Sequence, residues 1–161
     1  MIRNAHAGDH DAVVGMMVAY VERTPYAEVY VDPAEHASVL FAASLGQGVL
    51  LVDEVAGVVM GALVVLVTPY MGSVIAEEVG WWHPSPRVLL ELLDVAQCQV
   101  VQKGATVLKV SAPSWTSLGR YFKRRGFAPL EVVYTRALTP HGHARRSQPQ
   151  RCRPGTTRSR S

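Results

Sequence analysis

Two neighbouring glutamates, Glu77 and Glu78, stand inside an apolar segment, residues 74–82, that predicts a β-strand. Because successive side chains of a strand point to opposite faces, one of the two carboxylates must face inward. Burial raises the pKa of a carboxyl group, which suits a group that accepts a proton near neutral pH. The same alternation places Glu78 on one face with Gly80 and Trp82. The alternative is that both glutamates lie at a solvated strand end and that one of them pairs with a nearby Arg or Lys.

A second chemical feature follows directly along the chain. The strand stops at Pro84-Ser85-Pro86, and a leucine-rich helix is predicted at residues 87–103. The first turn of a helix leaves backbone N–H groups unpaired and carries a partial positive charge. The junction of strand and helix is therefore a candidate site for an anion.

Two predicted helices precede this junction and follow a short first strand at residues 1–3. Asp9 is the predicted N-cap of the first helix, and Asp32, followed by Pro33, is that of the second. The apolar spacing then predicts the inner face of each helix: Val13, Met16, Met17 and Tyr20 in the first, and Val39, Leu40 and Ala43 in the second.

The remaining elements surround the junction. Two apolar β-branched segments that meet at Gly57 predict a hairpin of strands 2 and 3. Gly104 is placed to end helix 3, and strand 5 is predicted at residues 105–112. A fourth helix is predicted to begin at Ser114 and to end at Gly126. One or two final strands are predicted at residues 127–138. The inner residues of helix 3 are predicted to be Leu89, Leu90, Leu93, Ala96 and Val100.

The predicted element order is therefore β-α-α-β-β-β-α-β-α-β, an α/β mixed sheet with helices on both faces. Strand 4 and strand 5 should be parallel and joined by a right-handed crossover through helix 3. With 161 residues, 48% of them hydrophobic, the chain suits one domain, here residues 1–138.

Composition limits the classes of function. No apolar run reaches the roughly 18 to 20 residues that span a bilayer, so we expect a cytoplasmic protein with no membrane partner. The two cysteines, Cys98 and Cys152, form no ligand motif, and no histidine pair has ligand spacing on a helix. The sequence therefore predicts neither a metal site nor a disulfide, and Cys98 is interpreted as a small buried apolar residue.

Residues 139–161 differ in composition from the rest of the chain. Ten basic and 13 acidic residues precede Arg145, a net charge of −3, whereas six arginines follow within the last 17 residues. Almost no large apolar side chain occurs there, so a disordered basic tail is predicted. Residues 145–160 could contact nucleic acid or an acidic partner. A solvated tail without a specific partner is the simpler interpretation.

Two segments, AEEVGWWHPSPR (residues 76–87) and RYFKRRGFAPLEVVYTRAL (residues 120–138), together with the element order, resemble the GNAT superfamily of N-acetyltransferases. Within it the chain is similar to small bacteriophage-encoded members. The resemblance covers residues 1–138. It implies that strands 4 and 5 splay apart, that the backbone of strand 4 binds the pantetheine arm of acetyl-CoA, and that the start of helix 3 holds its pyrophosphate.

The resemblance also implies roles for particular residues. The backbone of Val79, Gly80, Trp81 and Trp82 and the amides of Arg87 and Val88 would bind acetyl-CoA. Glu78 would be the general base, and Tyr121, Ser117 or a water molecule would take the place of the family's tyrosine as proton donor to the departing thiolate. The chain departs from the family pattern where Leu90 and Leu92 replace the small residues of a degenerate acetyl-CoA loop and where Phe122 replaces the usual tyrosine.

The predicted function is acetyl-CoA-dependent transfer of an acetyl group to a primary amine, either a protein lysine or N-terminus or a small amine. The alternative is a GNAT-fold protein without transfer activity, a binding or structural protein of phage origin whose basic tail contacts its partner. The amine acceptor and the oligomeric state stay open, with a homodimer among the options. A phage-encoded protein would act in the bacterial host cell or in the virion.

Overall fold

A computed structural model describes residues 1–24, 27, 30–111 and 118–129. Its strands and helices follow the predicted order as far as the fourth helix. In chain order they are β1 Ile2–Asn4, α1 His10–Glu22, α2 Pro33–Gln47, β2 Val49–Val55, β3 Val58–Tyr70, β4 Ser73–Trp82, α3 Pro86–Gln102, β5 Val107–Lys109 and α4 Leu118–Arg124. A short 3-10 turn, Ala7–Asp9, precedes α1. The predicted final strands begin at residue 127, but residues 127–129 are not in a strand. Residues 130–138, the domain boundary at residue 138 and the basic tail lie outside the described residues.

The described strands form one mixed sheet in the order β1-β2-β3-β4-β5. The first three pairings are antiparallel, and β4 pairs with β5 in parallel. The β2–β3 hairpin turns at Ala56 and Gly57, whose φ angles of 51° and 80° are left-handed, so the predicted glycine turn is confirmed. The predicted parallel pairing across α3 is confirmed as well.

Helices cover both faces of the sheet. Neighbouring residues of β3, Val64 and Val65, enter different apolar clusters because their side chains point to opposite faces. The cluster on the α3 face contains Val49, Leu51, Leu63, Val65, Ala76, Leu89, Leu90, Leu92, Leu93, Ala96, Val100 and Phe122. The cluster on the face of α1 and α2 contains Val13, Phe41, Leu50, Val52, Ala62 and Val64.

The inner stripe of α3 is confirmed and is wider than predicted, since Leu92 is also completely buried. Burying one such leucine side chain contributes about 2 kcal/mol to folding. Cys98, in contrast, is exposed, so its interpretation as a buried apolar residue was wrong. It lies two positions, or about 200°, from the buried Ala96, and therefore on the solvent side of the helix.

Two helix predictions in the first third of the chain have different outcomes. The Asp32 carboxylate accepts a hydrogen bond from the Glu35 N–H at 2.9 Å, which confirms the predicted cap of α2. The predicted inner face of that helix was wrong. Ala37, Phe41 and Ser44 are buried, whereas Val39 is 61% exposed, because α2 turns the ring of Phe41 toward β2 and β3.

The prediction for α1 was partly wrong. Asp9 precedes this helix but makes no side-chain cap to it. Its carboxylate instead accepts hydrogen bonds from the Arg3 guanidinium at 2.8 and 2.9 Å and from the His6 N–H at 2.9 Å. An ionised carboxylate forms stronger hydrogen bonds with a cationic guanidinium than with the neutral backbone N–H groups of a helix start. This explains why Asp9 bonds to Arg3 and does not cap α1.

Candidate functional site

Strands β4 and β5 separate at one end of their pairing. They pair at Ile75–Val107, Ala76–Leu108 and Glu77–Lys109, and β4 then continues for five more residues to Trp82. Within the described part of the chain, no residue of β5 pairs with these five. Among the described residues, one side of the β4 backbone therefore has no strand beside it there, and its polar groups need a hydrogen-bonding partner.

A β-bulge lies inside this open segment. Glu78 is opposite Val65 and Gly80 is opposite Val64, so Val79 is an extra residue in β4. The prediction that Glu78 and Gly80 share a face was wrong for this reason, because one extra residue reverses the alternation of side chains. Glu78 shares the α3 face with Val65, and Gly80 faces α1, where an added Cβ would lie 3.2 Å from Cε of Met17.

The carboxyl group of Glu78 is buried at the point where the strands part. The residue is 7% exposed. Its Oε2 atom accepts hydrogen bonds from the Ser111 N–H at 3.0 Å and from the Ser111 hydroxyl at 2.5 Å. Among the described residues no donor reaches Oε1, which keeps its lone pairs for a water molecule or an amine.

Burial raises the pKa of Glu78 above its ordinary value. The two hydrogen bonds from Ser111 act in the opposite direction, and the nearby charge of Glu77 raises the pKa a little further. Glu77 itself is exposed. In the part of the chain that the structure describes, no Arg or Lys bonds to Glu78, so the alternative of an ion-paired strand end does not describe this residue. Within the described residues, only Oε2 of this buried carboxyl group is hydrogen-bonded.

The two tryptophans of β4 face opposite sides of the sheet, as alternation predicts. Trp81 stacks on Phe122 of α4 with 5.6 Å between ring centroids and 24° between ring planes. Trp82 lies opposite Ala62, a residue of the other apolar cluster. Phe122 is 6% exposed, whereas its neighbour Tyr121 is 43% exposed. No described contact joins Tyr121 to Glu78, so its predicted role stays a prediction.

The predicted anion site is the turn into α3, and its role stays a prediction. Ser85 occupies the N-cap position, Pro86 begins the helix, and the serine side chain makes no cap. The described backbone hydrogen bonds use neither the N–H of Arg87 nor that of Val88. The guanidinium of Arg87 is 88% exposed and bonds to Glu91 at 3.0 Å.

Leu90 and Leu92, where the resemblance leads one to expect small residues, are used for packing. Leu90 is 8% exposed and Leu92 is fully buried, both in the cluster on the α3 face. They therefore point into the core and pack the second turn of α3 against the sheet.

Two polar residues of this region were missed by the sequence interpretation. Ser111 follows β5 by two residues, and the parallel register at Glu77–Lys109 is the signal that could have placed it beside Glu78. His83 contacts Asp53, which lies 30 residues earlier in the chain. Residues so far apart carry no local pattern, and only the fold brings them together.

Neither metal chemistry nor a membrane span is indicated by the described residues. Within residues 1–24, 27, 30–111 and 118–129, no three His, Cys, Asp or Glu side chains cluster closely enough to hold a metal ion. No helix in these ranges is both long and apolar enough to cross a bilayer.

The sequence matches no protein-family model, and no curated protein matches it. Solved structures do match the fold. A ribosomal-protein-alanine N-acetyltransferase from Brucella melitensis biovar Abortus 2308 is 17% identical and has a TM-score of 0.63, with 86% of this chain and 99% of that chain covered. A "predicted acetyltransferase with acetyl-CoA" from Clostridium acetobutylicum is 12% identical and has a TM-score of 0.66, with 84% and 94% covered.

A third match is an aminoglycoside acetyltransferase from an uncultured soil metagenomic sample, solved in complex with sisomicin. It is 15% identical, with a TM-score of 0.63 and 86% and 96% of the two chains covered. At these identities the likeness is one of fold. The GNAT-like α/β fold predicted from the sequence is thereby confirmed, and the acetyltransferases are its neighbours in structure.

Proposed function

We propose that this protein transfers the acetyl group of acetyl-CoA to a primary amine. The observation that carries the proposal is the carboxyl group of Glu78, buried beside the gap between β4 and β5, held through one oxygen by Ser111 and bound to no cation among the described residues. A base with a raised pKa is what the removal of a proton from an alkylammonium group requires near neutral pH.

The open end of β4 fits the cofactor that the structural neighbours suggest. The backbone of Val79, Gly80, Trp81 and Trp82 would bond to the amide groups of the pantetheine arm, as an added strand would. The N–H groups of Arg87 and Val88, at the start of α3, would bond to the pyrophosphate. Bound there, acetyl-CoA supplies an activated acyl group.

The residues of the chain then have separate tasks. Oε1 of Glu78 takes a proton from the acceptor ammonium, directly or through one water molecule, so that the amine lone pair can attack the thioester carbonyl. The new bond is C–N and the broken bond is C–S. Tyr121 or a water molecule returns a proton to the departing thiolate sulfur. Burial excludes bulk water around Glu78 and keeps its basicity matched to this task.

The class of acceptor is a primary amine that is charged in solution. A lysine side chain, a protein N-terminus and a small amine all meet this requirement. We expect the reaction to take place in the cytoplasm of a bacterial cell, with a phage gene as a proposed origin.

The test combines a binding and a transfer measurement on the full chain. Calorimetric titration with acetyl-CoA should give saturable heat, and thiol release should depend on an added amine. Glu78→Gln should lower the transfer rate while leaving binding intact. The matched control is Glu77→Gln, which removes the neighbouring exposed carboxylate. No heat and no thermal shift at millimolar acetyl-CoA would exclude the enzyme.

A second candidate function is a binding module that has the fold without the reaction. Phe122, at the position of the family's proton donor, is buried and stacked on Trp81, and Leu90 and Leu92 are buried where the family has small residues. In that case residues 145–160 would contact nucleic acid or an acidic partner. Removing residues 139–161 should then abolish partner binding without lowering the melting temperature of the domain.

A further inference from the structure

His83, the first residue after β4, has a buried ring with both nitrogens in use. Its side chain is 6% exposed. Nδ1 accepts a hydrogen bond from the Ser85 N–H at 2.9 Å, and Nε2 lies 3.2 Å from Oδ2 of Asp53. Nδ1 also lies 3.2 Å from the Ser85 carbonyl oxygen. With Nδ1 as the acceptor for the Ser85 N–H, the ring N–H on Nε2 is donated to the Asp53 carboxylate.

The ring lies in a space that the sheet leaves for it. Gly61 is the register partner of Asp53 on the neighbouring strand β3. A Cβ atom added at Gly61 would be 2.2 Å from Cδ2 of His83 and 2.7 Å from the carbonyl oxygen of Trp82. No larger residue could occupy position 61 without moving the ring or the end of β4. Glycine here is therefore required by the close approach of the histidine.

These contacts connect the start of α3 to the second strand of the sheet. The segment between them is short and contains Pro84 and Pro86, which restrict its backbone. One hydrogen bond from His83 fixes the N-cap residue, Ser85, and the other fixes the ring to β2. The orientation of the first helical turn is thereby set from outside the helix.

We propose that His83 is a positioning residue that clamps the start of α3 to Asp53, so that the N–H groups of Arg87 and Val88 point toward the open end of β4. The ligand in this statement, acetyl-CoA, rests on the proposed function. The clamp itself concerns contacts that form without any ligand. In a turn without glycines, a fixed orientation replaces the adaptability that glycine would provide.

A role in proton transfer is excluded for this ring by its surroundings. Both nitrogens have partners within the protein, and only 6% of the side chain reaches solvent. A catalytic histidine needs one nitrogen within reach of the reacting atoms.

Three substitutions separate the two bonds. His83→Asn can keep an oxygen near the position of Nδ1 for the Ser85 N–H but is too short to reach Asp53. His83→Gln can reach Asp53 but loses the acceptor for Ser85. His83→Ala loses both bonds. The matched control is His10→Ala, because His10 also bonds to an aspartate, Asp11 at 2.8 Å, but lies on α1.

The first readout is amide hydrogen exchange in the full chain without ligand. His83→Ala should speed exchange of the Ser85 and Leu89 amides, the latter bonded to the Ser85 carbonyl at 3.1 Å, about tenfold, and should leave β3 unchanged. His83→Asn should retain the protection of Ser85, and His83→Gln should lose it. If His83→Ala does not fold, the difference in Ser85 exchange between His83→Asn and His83→Gln decides whether the clamp exists. Unchanged exchange at these two amides, or equal acceleration throughout the core, would overturn the clamp.

The second readout is the affinity for acetyl-CoA. His83→Ala should raise Kd about fivefold to tenfold, since loss of the clamp removes the alignment of two amide donors, and His10→Ala should leave Kd unchanged. Local loss of protection without a change in Kd would overturn the positioning role. If the unsubstituted protein binds no acetyl-CoA, the proposed function and this positioning role both fail, while the exchange data still decide whether the clamp exists.

Discussion

Asp9 and Glu78 are buried to nearly the same extent, 4% and 7% exposed, but their surroundings differ in charge. Both oxygens of Asp9 bond to the guanidinium of Arg3, and the His6 N–H adds a third hydrogen bond. The Arg3 hydrogen bonds lower the pKa of Asp9 to about 2. From the described residues Glu78 receives only the neutral donors of Ser111, and burial raises its pKa.

The comparison shows that similar exposure does not fix the state of a carboxyl group: at Asp9 the Arg3 hydrogen bonds outweigh desolvation, whereas at Glu78 desolvation outweighs the hydrogen bonds from Ser111. The ionised form of Asp9 stabilises the fold, because the charge is compensated where it is formed. The ionised form of Glu78 costs stability, because its desolvation is only partly offset by hydrogen bonds. A buried carboxyl group that lowers stability when ionised, and that lies beside an open strand end, is a candidate functional residue.

The largest effect is expected on the rate of acetyl transfer when Glu78 is replaced. Glu78→Gln should reduce the rate of acetyl transfer about 100-fold or more, because the amide cannot accept the proton from the ammonium. Its melting temperature should stay the same or rise near neutral pH, since the uncompensated charge is removed. Steady-state kinetics and thermal melts measure the two quantities. A variant that loses stability and activity together would show that Glu78 is a structural residue.

The second largest effect is expected at Asp9, where a substitution should lower stability and leave activity unchanged. Asp9→Asn should lower the free energy of unfolding by about 2 kcal/mol, from the shift of the Asp9 pKa between the two states. For a chain of this size that corresponds to a decrease in Tm of about 4 to 8 °C. The kcat of the folded fraction should not change. Denaturant titration checks the first value, and a Tm equal to that of the unsubstituted protein would contradict the account.

A third prediction follows from the direction of the Asp9 shift. A lowered pKa contributes stability above the unfolded value of 3.8, and this contribution is lost as the pH falls toward about 2. The melting temperature should therefore decrease over this range, and less steeply in Asp9→Asn. Asp53, whose pKa the Met1 ammonium and then His83 also lower, accounts for part of the slope that remains. Identical slopes in the two proteins would show that Asp9 is not a source of acid sensitivity.

The smallest effect concerns the residue that holds Glu78. Ser111→Ala removes the hydroxyl bond and keeps the N–H bond. Because the lost bond favours the ionised carboxylate, the pKa of Glu78 should rise further and the acidic limb of the kcat/KM profile should move to higher pH. At neutral pH the rate should fall roughly threefold to tenfold and recover in alkaline buffer. A uniform fall at every pH would mean that Ser111 acts in some other way.

The sequence predicts much of the fold because the elements carry strong local signals. The cap at Asp32, the hairpin glycine Gly57 and the leucine stripe of α3 were each predictable from spacing and residue type. The inner face of α2 was not, because its apolar residues surround the helix and only the position of Phe41 against the sheet selects a face.

The candidate site was less predictable for a related reason. Alternation places Glu78 inward only if the register is known, and the bulge at Val79 reverses the pattern for the residues that follow. The contacts to Ser111 and from His83 to Asp53 join residues 30 or more positions apart. Such pairs are set by tertiary structure, which local patterns do not encode.

The most direct test of the account is the titration of the Glu78 carboxyl group itself. Carbon-13 NMR of labelled glutamate side chains, assigned by comparison with Glu78→Gln, follows this group through its titration in the full chain. The expected midpoint lies above the ordinary value of a glutamate and shifts further upward after Ser111→Ala. A midpoint at or below the ordinary glutamate value would contradict it, because Glu78 would then be a stabilised anion like Asp9 and not a poised base.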